Sequence, residues 1–155
     1  MKGIWFYGLS GCGKSFASKF IIKRVRKKSI LVDGDDVRKY ISIDLGYEKK
    51  DRKIQISRIF GIAKIAIKSK IFPVVSSVYM DNQTLKKIKK IKIIPIEIQR
   101  DFNKILSLRK IYLRKKNIVG VDIKLLKLKT LKIKNENNQK FYNTLWKLAK
   151  KINSY

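Results

Sequence analysis

The stretch "GLSGCGKS", residues 8 to 15, comes directly after the apolar run "IWFY" at residues 4 to 7. Its spacing of Gly8, four residues, then Gly13, Lys14 and Ser15 is that of the Walker A pattern, and it needs a strand, a loop and a helix in that order. A loop that wraps a polyphosphate turns its backbone N–H groups inward, here those from Gly8 through Leu9, Ser10, Gly11 and Cys12 to Gly13. The glycines permit conformations and close approaches that a Cβ would obstruct. Lys14 adds a point charge at the β- and γ-phosphates, and Ser15 offers a hydroxyl to Mg²⁺. Phe16, Ala17, Phe20 and Ile21 then recur at helical spacing, so a helix N-terminus faces the anion. A glycine-rich turn with a chance lysine is the bland alternative.

Composition narrows the chemistry. A chain of 155 residues forms one domain with a real core, here 1–155. Its only cysteine, Cys12, excludes an internal disulfide and a cysteine-built zinc site, and the absence of histidine excludes imidazole bases and ligands. Any proton acceptor is therefore a carboxylate or the substrate itself. The formal charge of +28 invites a nucleic-acid reading. Yet only eight of the 39 basic residues are arginine, and the lysines are scattered along the chain with isoleucine and asparagine, as an A/T-rich genome would produce. The expected partner is a small anionic nucleotide, drawn in by that field, rather than nucleic acid. Apolar runs too short for a bilayer and the absence of a signal or transit peptide give a cytoplasmic, non-membrane expectation.

Strand and helix patterns alternate, as a parallel α/β sheet requires. Strands are expected at 3–7, 29–33, 71–76, 92–98 and 130–134, with helices near 14–26, 36–43, 51–69, 101–107 and 139–152. In "LKKIKKIKIIPIEI" Pro95 and the β-branched run favour a helix end followed by a buried strand. The pattern as a whole gives a central parallel sheet of about five strands flanked by helices.

Two further stretches carry chemistry. In "LVDGDDVRKY" Asp33 and Asp35 fall at the carboxyl end of the second strand, where open α/β sheets place ligands, and Arg38 shares a helical face with Asp35. A carboxylate there orients or deprotonates an attacking hydroxyl, while the arginine clamps an anionic acceptor. Asp35 or Asp36 is also expected to cap the helix, after a turn at Gly34. In "DLGYEKKDRKIQISR" Arg52 and Gln55 share a face, and Tyr47 lies in a glycine-containing loop before them. An aromatic beside arginines suits a nucleotide base and its phosphates, although a tyrosine covering the core is almost as common.

Taken together, Gly8–Ser15, Asp33–Arg38 and Asp44–Arg52 resemble, in order and spacing, the motifs of adenylylsulfate kinases, P-loop kinases that phosphorylate the ribose 3′-hydroxyl of adenylyl sulfate. A fourth match, "NIVGVDI" at 117–123, falls where that family carries its lid. The resemblance implies a P-loop nucleoside-triphosphate hydrolase fold with a short lid near 109–125. It also implies ATP and Mg²⁺, with Ser15 and Asp33 at the metal and Asp35, with Lys14 and Asp33, doing the chemistry. Arg109 would join the loop in holding ATP. Arg38, Tyr47, Arg52, Gln55, Ser76, Lys110, Ile118, Val119 and Gly120 would surround the acceptor, Tyr47 stacking on its base. Dimers are frequent in that family, so a homodimer is part of the expectation.

The chain departs from the family pattern in three places. Gln55, Ser57 and Arg58 stand where an asparagine and an arginine pair are usual, and Ser77, Val78, Tyr79 and Met80 replace Phe-Ile-Ser-Pro. Ile118 replaces a lid aromatic that would sandwich adenine. The wording "VGVDI" looks more like that of the cytidine diphosphoramidate kinases, relatives serving capsule modification, so the reading leans slightly toward a cytidine acceptor over adenylyl sulfate. The competing class is a degenerate P-loop domain that binds nucleotide or nucleic acid without transferring phosphate, and such a binder would not need both Asp33 and Asp35.

Overall fold

The computed structural model describes residues 1–108, 112 and 116–155. Its five strands are β1 (Gly3–Tyr7), β2 (Ser29–Asp33), β3 (Phe72–Ser77), β4 (Ile93–Gln99) and β5 (Leu131–Lys134). All pair in parallel in the order β2-β3-β1-β4-β5. The apolar GIWFY run is the middle strand and is buried at every position, as a strand covered on both faces must be.

Side-chain alternation along β1 divides the core into two halves. Ile4 and Phe6 pack with Ile21, Val74, Ile96, Phe141 and Leu145. Trp5 and Tyr7 point the other way, among Val32, Ile56, Ile59, Val75 and Ile88. At the β5 edge only Ile133 is buried, and Lys132 and Lys134 deter pairing with another strand.

The helices are α1 (Lys14–Ile22), α2 (Gly34–Tyr40), α3 (Lys49–Lys68), α4 (Asn82–Lys90), α5 (Phe102–Leu108) and α6 (Gln139–Asn153). Each strand lies within one residue of its sequence-based range, and α1 and α6 begin at the expected residues, whereas caps set earlier starts for α2 and α3. α3 begins two residues early because Glu48 and Asp51 form a reciprocal capping box. α1 stops at Ile22, short of the expected 26: the Arg24 N–H donates to the Ile21 carbonyl three residues back, and the Arg24 guanidinium takes the Phe20 carbonyl that a continuing helix would use. Asp81 accepts from the Thr84 N–H at 2.7 Å and starts α4, the helix of which the sequence reading saw only the end. Among the described residues no helix is long and apolar enough to cross a membrane.

Candidate active site

The carboxyl ends of β1, β2 and β3 open on a cleft of about 710 Å³. The 8–15 loop forms one wall, and its backbone explains its glycines. Gly8 has φ +144° and Gly13 has φ +103°, values that strain any L side chain. A Cβ at Gly13 would also run into the Asn135 amide. Asn135 is buried just past β5 and donates from Nδ2 to the Cys12 carbonyl at 2.8 Å. Its own backbone N–H donates to the Gln99 carbonyl at 2.7 Å, and its Oδ1 accepts from the Asn137 N–H at 2.9 Å. The Tyr112 hydroxyl donates to the Ser10 carbonyl at 2.8 Å.

Asn135 was not legible as a site residue, since asparagine after a strand is most often only a turn residue. Asn135→Ala removes the donor to a buried loop carbonyl, a cost of roughly 1–3 kcal/mol, so Tm should fall by several degrees. An unchanged Tm would show that the loop holds its shape without β5.

Lys14 is only 8% exposed, and its ammonium donates to the Leu9 carbonyl at 2.7 Å. The Ser15 hydroxyl donates to Asp33 Oδ2 at 2.9 Å, and the Ser76 hydroxyl donates to the same oxygen at 2.7 Å. Asp33 Oδ1 accepts the Asp35 N–H at 2.9 Å. The cap of α2 is therefore Asp33, not Asp35 or Asp36: β2 runs into the helix with Gly34 as its first residue, which leaves no turn between them. Gly34 serves packing instead, because a Cβ there would lie 3.0 Å from the Ser76 carbonyl oxygen. Freed of capping, the Asp35 carboxylate is exposed at the cleft and bonds to no group among the described residues.

Opposite the loop stand two arginines. Arg38 donates to the Gly46 carbonyl at 2.6 Å, and its guanidinium lies 4.6 Å from the centre of the Tyr47 ring. Arg52 donates from Nε to the Tyr47 carbonyl at 3.1 Å and from the guanidinium to the Asn117 carbonyl at 2.6 Å. Burial, with the neighbouring Arg38 charge second, pulls the Arg52 pKa below the usual guanidinium value. Two converging cations disfavour each other and favour an anion between them. Tyr47 stays 55% exposed, open to stacking. Gln55 donates to the Gly34 carbonyl at 3.0 Å and is buried at the cleft floor.

The 117–123 turn closes the cleft. Asp122 accepts from the Asn117 and Ile118 N–H groups, and the Ile118 bond is the first of those that hold its carboxyl below the usual range. Ile118 and Val119 line the cleft with buried side chains. Gly120 faces Leu9 and does not line it. Leu9 and Cys12 border a second cavity of about 600 Å³ on the β4 side. Burial raises the Cys12 thiol pKa, which leaves it a packing group. Arg109 and Lys110 lie outside the described residues.

A parallel sheet in this order, a glycine-rich phosphate loop running into α1 and paired aspartates at the end of β2 define a protein of the P-loop kinase fold. A solved neighbour, the Mycobacterium tuberculosis APS kinase CysC in complex with AMPPNP and APS, superposes with a TM-score of 0.84 at 17% identity, covering 96% of this chain and 95% of that one. The chain belongs to the adenylylsulphate kinase family, whose model matches residues 2–107. Curated relatives include the adenylyl-sulfate kinase of Pseudomonas aeruginosa, 37% identical over 78 residues, with the match covering 48% of this chain and 40% of that protein. Another is the probable bifunctional SAT/APS kinase 2 of Sorangium cellulosum, 41% identical over 69 residues, or 43% of this chain and 12% of that one. The matched stretch thus spans well under half the length of these relatives.

Proposed function

We propose that the protein is an ATP-dependent kinase that transfers the γ-phosphate to the ribose 3′-hydroxyl of adenylyl sulfate. The observation that carries this reading is the convergence of Lys14, Asp35, Arg38, Tyr47 and Arg52 on one cleft, with a phosphate loop on one side and an anion clamp on the other. Relatives named adenylyl-sulfate kinases support the adenine acceptor. The lean toward cytidine diphosphoramidate and capsule modification rested on lid wording and finds no support among those relatives.

The groups divide the work by position. Lys14 can swing from the Leu9 carbonyl to the donor's phosphates, where its charge offsets the negative charge that spreads over the transferring group. Arg38 and Arg52 hold the acceptor's anionic end, and Tyr47 offers a face to its base. Asp35, unpaired at the cleft, accepts the proton of the attacking hydroxyl. Ser15 and Asp33 present hard oxygen donors side by side, a set that fits Mg²⁺ carried in with ATP phosphates. Bound there, Mg²⁺ would neutralise charge on those phosphates.

The test is a kinase assay with ATP against adenylyl sulfate and cytidine diphosphoramidate side by side. Preference for the cytidine acceptor would reverse the assignment of the base, and turnover of neither would sink the reading. In the same assay Tyr47→Ala should raise the acceptor KM by roughly fivefold to a hundredfold, the worth of one stacking contact, and leave the KM for ATP unchanged. An unchanged acceptor KM would make Tyr47 a surface residue only.

A further inference from the structure

The turn after β3 places a group in the cleft that the function above does not use. Tyr79 is 7% exposed yet borders the cleft together with Tyr47, Arg52 and Asn117. Its ring belongs to the buried cluster that also holds Val119 and Ile123 of the closing turn. The turn itself is fixed from the sheet: Trp5 Nε1 donates to the Ser77 hydroxyl at 2.9 Å, and that hydroxyl donates to the Tyr79 carbonyl at 2.9 Å. Both side chains of that relay are buried, so Tyr79 has little freedom to leave. Its hydroxyl bonds to no group among the described residues and is not one of the buried polar atoms left without a partner, so it reaches solvent at the cleft, where a ligand atom can take its hydrogen bond.

The charges around that hydroxyl say what kind of partner it suits. Burial, then the Asp81 carboxylate, push its pKa up, and the Arg52 guanidinium opposes them more weakly than Asp81 acts. The phenol therefore remains a protonated donor at neutral pH, in a field that does not favour a second anion. A neutral acceptor atom fits this position better than a phosphate or sulfate oxygen, which Arg38 and Arg52 already serve.

Resting on the kinase reading above, we infer that Tyr79 is a specificity-determining residue for the acceptor, its hydroxyl donating a hydrogen bond to an unprotonated ring nitrogen at the base edge while Tyr47 covers the base face. This residue supplies a second aromatic contact in a chain whose lid carries Ile118. It also favours bases with a free ring lone pair over those whose corresponding nitrogen carries a proton.

Tyr79→Phe removes the hydroxyl and keeps the packed ring, so Tm should remain within a few degrees of wild type. One net hydrogen bond is worth roughly a twofold to tenfold change, so the KM for adenylyl sulfate should rise by about that factor with the KM for ATP unchanged. Calorimetric titration with AMP and with ribose 5-phosphate separates base from anion: the variant should bind AMP more weakly and ribose 5-phosphate as wild type does. Equal weakening toward both probes, or toward neither, overturns the inference. The titrations need no turnover, so a wild type that binds AMP with this Tyr79 dependence but does not phosphorylate adenylyl sulfate would overturn the proposed reaction and leave the base contact standing.

Discussion

Lys14→Ala is expected to lower phosphoryl transfer by roughly 10³ while leaving Tm near its wild-type value. The ammonium is almost enclosed, and its contacts are the Leu9 carbonyl at 2.7 Å and a long approach to Cys12 Sγ at 3.9 Å. Among the described residues it forms no ion pair, so no buried carboxylate is orphaned by its removal. The carbonyl loses a donor, a cost of about 1–3 kcal/mol at most, partly relieved by water entering from the open cleft. The catalytic loss is larger because the charge acts on phosphate oxygens whose charge distribution changes in the transition state, in a site partly shielded from solvent. Turnover and Tm are measured on the same preparation. Activity within about threefold of wild type would remove the 8–15 loop from the chemistry, and loss of activity with a collapsed Tm would show that Lys14 holds the fold instead.

What the sequence made legible follows from how local each signal is. The middle strand was readable because "IWFY" is short and apolar without interruption, as a strand covered on both faces must be. The phosphate loop was readable because its glycines, lysine and serine are contiguous in sequence as they are in space. Asp33, Asp35 and Arg38 were readable for the same reason. The α2 cap was misplaced because the sequence does not show that β2 runs straight into the helix, and Asp33 is both the last strand residue and the cap.

Residues that act across the sheet were beyond reach. Asn135 meets Cys12 over a separation of 123 positions, and Trp5 meets Ser77 over 72. Neither pair carries a spacing that a linear pattern can detect, because β5 and β3 are brought beside the loop by the parallel order of the strands alone. Tyr79 stood out only as a departure from the family's segment. Its place in one buried cluster with Val119 and Ile123, beside Arg52, turns that departure into a candidate contact.

The two aspartates at the end of β2 should fail in different ways when each is changed to asparagine. Asp35 is exposed, and its carboxylate has no partner among the described residues. Asp35→Asn should therefore leave Tm and the KM for ATP unchanged, yet lower kcat by at least ~10², because the amide neither accepts the hydroxyl proton nor carries charge. Asp33 is engaged on both oxygens, with the Ser15 and Ser76 hydroxyls on Oδ2 and the Asp35 N–H on Oδ1. Asparagine still caps a helix through its carbonyl oxygen, but its NH₂ then faces two hydroxyls that must reorient to accept. Asp33→Asn should lower Tm by a few degrees and raise the Mg²⁺ concentration needed for half-maximal rate. The measurements are kcat, both KM values, a Mg²⁺ titration and Tm for each variant. An Asp35→Asn rate within about threefold of wild type would move the proton acceptor to the substrate's own phosphate. An Asp33→Asn variant with unchanged metal dependence would leave that aspartate as a helix cap that happens to lie beside the phosphate loop.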